Sequence, residues 1–127
     1  MNKYKEDYLN YRISKSEESL NDTKLLAANG SWNACVNRLN YACYYMVSSL
    51  TLKSELTSQT HSGLKSLFNL NFIKPGLVPI EFGKLYSDLM DWRQKGDYGD
   101  MFDFDKETVE PLIEQVERFI NYKRYSH

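Results

Sequence analysis

The sequence predicts an all-α, up-and-down bundle of four to five helices. Three observations carry that expectation. Apolar residues recur at three- and four-residue steps along most of the chain. No segment alternates with a period of two over more than a few residues. Glycine, proline and asparagine fall between the periodic segments, where turns belong. The 127 residues suffice for one buried core, and no repeat, low-complexity tract or linker interrupts them, so 1–127 reads as one domain.

The first helix is expected over residues 5–28, with Ile13, Ser16, Leu20, Thr23 and Ala27 facing inward. This stripe is light in apolar bulk, which points to a neighbouring helix approaching closely. Asn29-Gly30 stops it, glycine taking the left-handed position after the last turn. Ser31 is the expected cap of a second helix over 32–53. Trp32, Cys35, Leu39, Cys43, Met46 and Leu50 make its core stripe, while Arg38, Tyr41 and Tyr45 form a separate aromatic-polar row. A helix apolar on one side and aromatic on the other is expected to be central.

Residues 57–60 are a polar break, from which Ser58 or Thr60 caps a short third helix over 61–70, carrying Leu64, Leu67 and Phe68. Lys74-Pro75-Gly76 is a turn signal, and Pro79 opens a fourth helix at its first position. Phe82, Leu85, Leu89 and Trp92 share one face of that helix. Gly96 is expected to end it, leaving Asp97-Tyr98 as a loop flanked by Gly96 and Gly99. Asp103 or Asp105 caps a last helix reaching about Tyr122. Its inward residues are Val109, Leu112, Ile113, Val116, Phe119 and Ile120, with Pro111 in the tolerant early turns. Leu39, Met46, Leu85, Leu89, Leu112, Val116 and Phe119 are expected to be almost fully buried.

Composition narrows the function classes. A formal net charge of -1 gives no overall basic field, so any contact with nucleic acid must rest on a local patch. The apolar runs are short of a membrane span and residues 1–10 are polar, unlike a signal peptide; a cytoplasmic protein with no membrane partner is expected. Cys35 and Cys43 lie eight apart in one helix, about 12 Å along its axis, beyond the roughly 7 Å a disulfide spans. They read as small buried apolar residues of a reducing compartment. Histidine is limited to His61 and His127, and no HExxH, CxxC, repeated ExxH or Gly-rich phosphate loop occurs. The expectation is no metal and no cofactor.

One stretch stands out, from Trp92 through Arg93, Gln94, Lys95, Gly96, Asp97, Tyr98 and Gly99 to Asp100. It combines a fixed cation, a carboxylate and a phenol. Cations in a last helical turn suit the macrodipole, which accounts for Arg93 without any ligand. Arginine also recognises phosphate through its two-pronged guanidinium, which makes Arg93 a candidate phosphate contact. Arg38, on the central helix, is expected to pair with a carboxylate such as Asp88 or Asp97.

The run Asn37-Arg38-Leu39-Asn40-Tyr41-Ala42-Cys43-Tyr44-Tyr45 resembles the second-helix signature of small prokaryotic HEPN proteins. Thr60-His61-Ser62-Gly63-Leu64 is similar to the family's third-helix opening, and Phe72-Ile73-Lys74-Pro75-Gly76-Leu77-Val78-Pro79 to its next linker. Arg93-Gln94-Lys95-Gly96-Asp97-Tyr98 resembles its Arg-x-x-x-Asp-Tyr motif. These pieces occur in order from about residue 8 to 122. The resemblance implies a helical bundle that pairs as a homodimer. It implies one of two activities: a nucleotide- or RNA-binding partner of a minimal nucleotidyltransferase, in a toxin-antitoxin or defence-type system, or a metal-independent ribonuclease toxin. A purely structural interaction protein is the third reading. The nuclease branch of the family carries Arg-x(4-6)-His, and here Tyr98 stands where the Arg-x4-His form has histidine. A tyrosine with a pKa of about 10 is a poor general base near neutrality, so catalysis would fall to Arg93 with Asp97, Tyr98 or His61. Phosphate binding would fall to Arg93, Arg38 and Tyr98. For His61, a place near a helix start, donating to a neighbour, is the plainer reading.

Overall fold

Small side chains on the first helix let the second come close. In the computed structural model, which describes residues 3–99 and 103–125 (side chains only through 122 at the carboxyl end), α1 (Lys3–Ala28) runs antiparallel to α2 (Trp32–Lys53). Ser16, Ser19 and Thr23 are buried in their interface. The Ser16 hydroxyl donates to the Ala42 carbonyl at 2.7 Å, and the Cys35 thiol reaches the Thr23 carbonyl at 3.5 Å. The Thr23 hydroxyl turns back to the Ser19 carbonyl at 2.8 Å. The buried hydroxyls of Ser16 and Thr23 therefore each have an acceptor, as burial requires. Gly30 joins the two helices with φ 73°, the left-handed conformation glycine adopts without strain.

The remaining elements are α3 (His61–Phe68), a wider π-type turn (Asn69–Ile73), α4 (Ile80–Tyr98) and α5 (Lys106–Tyr125). No strand occurs among the described residues. α2 packs against α1, α3, α4 and α5, and so forms the axis of the bundle. Leu39, Met46, Leu85, Leu89, Leu112, Val116 and Phe119 are all buried, as their spacing predicts. Val36, Val47, Val78 and Tyr86 join them with no exposure. Trp32, Leu50, Trp92 and Ile113 are only half-buried at the margin of the core.

Several boundaries differ from expectation. α4 does not stop at Gly96; it continues through Asp97 and Tyr98, and Gly99 closes it by donating to the Lys95 carbonyl at 2.9 Å. Pro79 precedes the first helical residue instead of occupying it. Ser31 stands at the start of α2, but its hydroxyl accepts from the Asn29 side chain at 3.1 Å and makes no cap bond. Thr60 does cap α3, accepting from Gly63 N at 2.9 Å, and Asp105 accepts from Thr108 N at 2.9 Å at the start of α5. Gly83 is buried where α4 meets the π-type turn, and a Cβ there would lie 3.0 Å from Ile73.

Close α1–α2 packing generates a test at Ser16. Ser16→Ala removes one buried hydrogen bond and should lower unfolding free energy by about 1 kcal/mol. Ser16→Leu should cost more, by roughly 1–3 kcal/mol of overpacking, although leucine is the more apolar residue and the better helix former. Urea unfolding midpoints check the order. A Ser16→Leu protein as stable as wild type would contradict the close approach.

Candidate functional site

Asn33, Asn37 and Tyr41 lie four residues apart on α2, so they share one face of that helix. That face meets the carboxyl-terminal turns of α4 through three polar contacts. Asn33 donates to the Gly96 carbonyl at 3.5 Å and accepts from Phe104 N at 2.8 Å, tying together the end of α4 and the approach to α5. Asn37 Nδ2 donates to Asp97 Oδ2 at 3.0 Å. Arg93 Nη1 donates to the Tyr41 hydroxyl at 3.1 Å, and its Nε lies 3.7 Å from Asp97 Oδ2. The two helices run antiparallel at this seam, so Asn33 and Asn37 meet the last turn of α4 and Tyr41 meets the turn before it.

Tyr41 is the centre of the cluster. The guanidinium carbons of Arg38 and Arg93 lie 4.8 and 5.4 Å from its ring centroid, within cation–π range. Arg38 Nε and Nη2 both donate to Asn37 Oδ1, at 3.0 and 2.8 Å. The expected pairing of Arg38 with Asp88 or Asp97 is not what the structure has. Asp88 takes Lys84 at 2.7 Å, Asp97 takes Arg93 and Asn37, and the Asn37 amide stands between Arg38 and Asp97. The two guanidiniums thus have a single carboxylate near them, paired directly with Arg93 and reached by Arg38 only through the Asn37 amide.

His61, at the start of α3, enters the same cluster from a third element. Its ring stacks on Tyr44 at 4.6 Å and meets the edge of Tyr41 at 6.3 Å. Burial lowers its pKa from the usual 6.5, and the charge of Arg93 lowers it further. The imidazole is therefore neutral near pH 7.

Tyr98 does not join this group. Five residues past Arg93 on a continuous helix, it lies roughly 140° around the axis. It is 77% exposed, on the outer side of α4 with Asp91, Gln94 and Lys95. The structure thus brings together Arg93, Asp97, Arg38 and His61, leaves Tyr98 apart, and adds Asn33, Asn37, Tyr41 and Tyr44. The four-residue spacing of Asn33, Asn37 and Tyr41 is the signal that could have pointed to this face. Asp100, the last residue of the stretch that begins at Trp92, lies outside the described residues. Among the described residues, no three His, Cys, Asp or Glu side chains are grouped to hold a metal ion. No helix among them is long and apolar enough to cross a membrane.

The Arg93 side chain is 20% exposed and that of Asp97 29%, so the charges are held firmly while an edge still faces solvent. Such an arrangement can accept an anionic group on the guanidinium edges and present ring faces beside it.

Comparison with known proteins gives a consistent picture. The family model described as HEPN domain matches residues 9–125. A "UPF0332 protein" of Thermotoga maritima is 38% identical over 117 residues, covering 92% of this chain and 89% of its own. A second "UPF0332 protein", from Gloeobacter violaceus, is 31% identical over 109 residues, 85% of this chain and 86% of its own. A Methanocaldococcus jannaschii protein that bears the name "Putative toxin" is 29% identical over 109 residues, 86% of this chain and 74% of its own.

The depressed pKa of His61 has a consequence for stability. Below pH 6.5 the unfolded chain takes up a proton at His61 while the folded chain still resists it, so stability falls as pH drops through that window. His61→Gln should flatten the loss between about pH 7 and 5 relative to wild type. Thermal midpoints across that range measure it. Identical slopes for the two proteins would place His61 in open solvent, away from Arg93.

Proposed function

The chain belongs to the HEPN family, and on that premise we propose that it binds RNA or nucleotide through Arg93 and Arg38. In this reading it acts as a dimer, in a toxin-antitoxin or defence-type system, as the partner of a minimal nucleotidyltransferase. The observation that carries the binding reading is the pair of guanidiniums on the Tyr41 ring, of which Arg93 alone is paired with a carboxylate. The local charge balance is positive although the whole chain is slightly acidic. Arginine's planar fork fits two phosphate oxygens at once. Tyr44, Tyr45 and His61 beside it supply ring faces on which unpaired bases stack, the usual means of holding single-stranded RNA.

The toxin-antitoxin setting rests on relatives whose names contain the word toxin, and the nucleotidyltransferase partner on what small HEPN proteins accompany. The dimer rests on the half-exposed row of Arg38, Tyr41 and Tyr45. A helix face this aromatic is suited to two-fold pairing over at least about 1,000 Å².

A second reading, a metal-independent ribonuclease, is favoured by one observation. His61 is neutral near pH 7 and shares the Tyr41 cluster with Arg93, so it would move the proton while Arg93 holds charge on the phosphate. Asp97 would orient Arg93; Tyr98, on the other side of α4, has no part in that geometry. A purely structural interaction role is what remains if the protein neither binds nor cleaves RNA.

Fluorescence anisotropy with a labelled single-stranded RNA, beside a cleavage assay with and without chelator, separates these readings. Wild type should bind, with affinity falling as salt rises. Arg93→Ala should weaken binding at least about tenfold and lower stability by only about 1–2 kcal/mol, one hydrogen bond plus a partly exposed ion pair. Chelator-insensitive cleavage that disappears in His61→Gln selects the ribonuclease. Unchanged binding by a folded Arg93→Ala protein removes Arg93 from the working residues.

A further inference from the structure

One arginine lies outside the cluster of Arg38 and Arg93 and has no carboxylate of its own. Arg12, on α1, is half-buried. Its Nη2 donates to the Tyr8 hydroxyl at 2.9 Å and its guanidinium carbon lies 4.7 Å from the Tyr8 ring centroid. Its Nε is buried without a hydrogen-bond partner. Among the described residues no acidic side chain pairs with it, whereas Lys15, Lys84, Arg93 and Lys106 each have one within 4 Å. Arginine stays charged at any ordinary pH, and an ionised donor shut away from water without an acceptor is costly. An anion held by the nitrogens of Arg12 that face the cavity would supply the missing countercharge.

Arg12 lines a cavity of about 60 Å³ between α1, the carboxyl-terminal half of α2 and the α2–α3 loop. Ser48, Thr51, Thr57, Ser58 and Tyr44 form its polar walls, and no residue lining it is acidic. The hydroxyls of Ser48, Thr51 and Ser58 already donate to the carbonyls of Tyr45, Ser48 and Thr60. Donors for a ligand are therefore the guanidinium and the hydroxyls of Tyr44 and Thr57. The volume suits a single tetrahedral oxyanion; pockets for drug-sized ligands run to roughly 300–1,000 Å³. Neither a base nor a ribose would fit.

We propose that this cavity is a phosphate-group site with Arg12 as its anchor. The site is separate from Arg93 but adjoins it: Tyr44 lines the cavity and also stacks with His61, which meets Tyr41 under the Arg93 guanidinium. A phosphate held by Arg12 therefore sits one aromatic ring away from the Arg93 cluster.

Calorimetric titration of the full chain tests the site with three probes: inorganic phosphate, AMP, and the dinucleoside monophosphate ApA, whose one phosphate is a diester. Wild type should bind inorganic phosphate. Arg12→Lys, which keeps the charge and loses the fork, should weaken it at least about tenfold, and Arg12→Gln should abolish it. Lys106→Gln, a surface cation of α5 that does not line the cavity, should leave it within about twofold. Preference for AMP assigns the site to a terminal phosphate and preference for ApA to a backbone phosphate; either result supports the site. Should Arg12→Gln fail to fold, Arg12→Lys and Tyr44→Phe carry the test, with helical circular dichroism as the control. A wild-type protein that takes no phosphate, or a folded Arg12→Lys protein with unchanged affinity, overturns the proposal. Phosphate binding through Arg12 in a protein inert toward RNA would overturn the Arg93 reading alone.

Discussion

α2 has to touch four helices at once, and much of this molecule follows from that. Cys35, Val36, Leu39, Ala42, Cys43, Met46 and Val47 are consumed by packing, and so are the small polar residues Asn40, Ser48, Ser49 and Thr51. In the middle of the helix, what remains toward solvent is a narrow strip bearing Asn37, Arg38, Tyr41, Tyr44 and Tyr45. A strip bounded on both sides by packed helices cannot be filled with small residues without leaving voids, nor with bare charges without desolvating them. Tyrosine meets both demands, with an apolar ring to pack and a hydroxyl to bond. The proposed binding surface is thus the part of the central helix that the core leaves uncovered.

Charges on that surface are held by geometry supplied from α4. Asn33, Asn37 and Tyr41 form successive contacts with Gly96, Asp97 and Arg93, and these fix how α4 ends against α2. Because Asp97 is shared between Arg93 and the Asn37 amide, and Asn37 is shared in turn with Arg38, the two arginines are held apart yet neutralised only once. Ordinary surface ion pairs stabilise a protein little. Here the partial burial of the Arg93 and Asp97 side chains strengthens their interaction while an edge remains open.

The fold was largely legible because helical periodicity survives in single stretches of sequence. The light stripe of Ser16 and Thr23 even foretold the close α1–α2 approach. What local reasoning missed came from tertiary contacts. Gly96 reads as a helix stop, yet α4 runs through it because Asn33 takes its carbonyl and the Phe104 ring packs where a Cβ would be, at 3.0 Å. That extension by half a turn sends Tyr98 outward and leaves Asp97 facing α2. Arg38 was expected to find a carboxylate, but the adjacent Asn37 side chain meets it first. Arg93, Asp97, Arg38 and His61 were each visible as chemically notable residues. Their meeting on Tyr41 was not, since it joins α2, α3 and α4 across more than fifty positions of sequence.

If Tyr41 acts on RNA chiefly by holding Arg93, its contribution should vanish once Arg93 is gone. A double-mutant cycle on RNA affinity with Tyr41→Phe, Arg93→Ala and the pair reads this directly. Phenylalanine keeps the ring and removes only the hydroxyl that accepts from Arg93. The structure predicts a non-additive cycle: the double variant binds no more weakly than Arg93→Ala, with a coupling of roughly 0.5–1.5 kcal/mol. Strictly additive losses would mean that the two residues work independently, and would contradict a site organised around their contact.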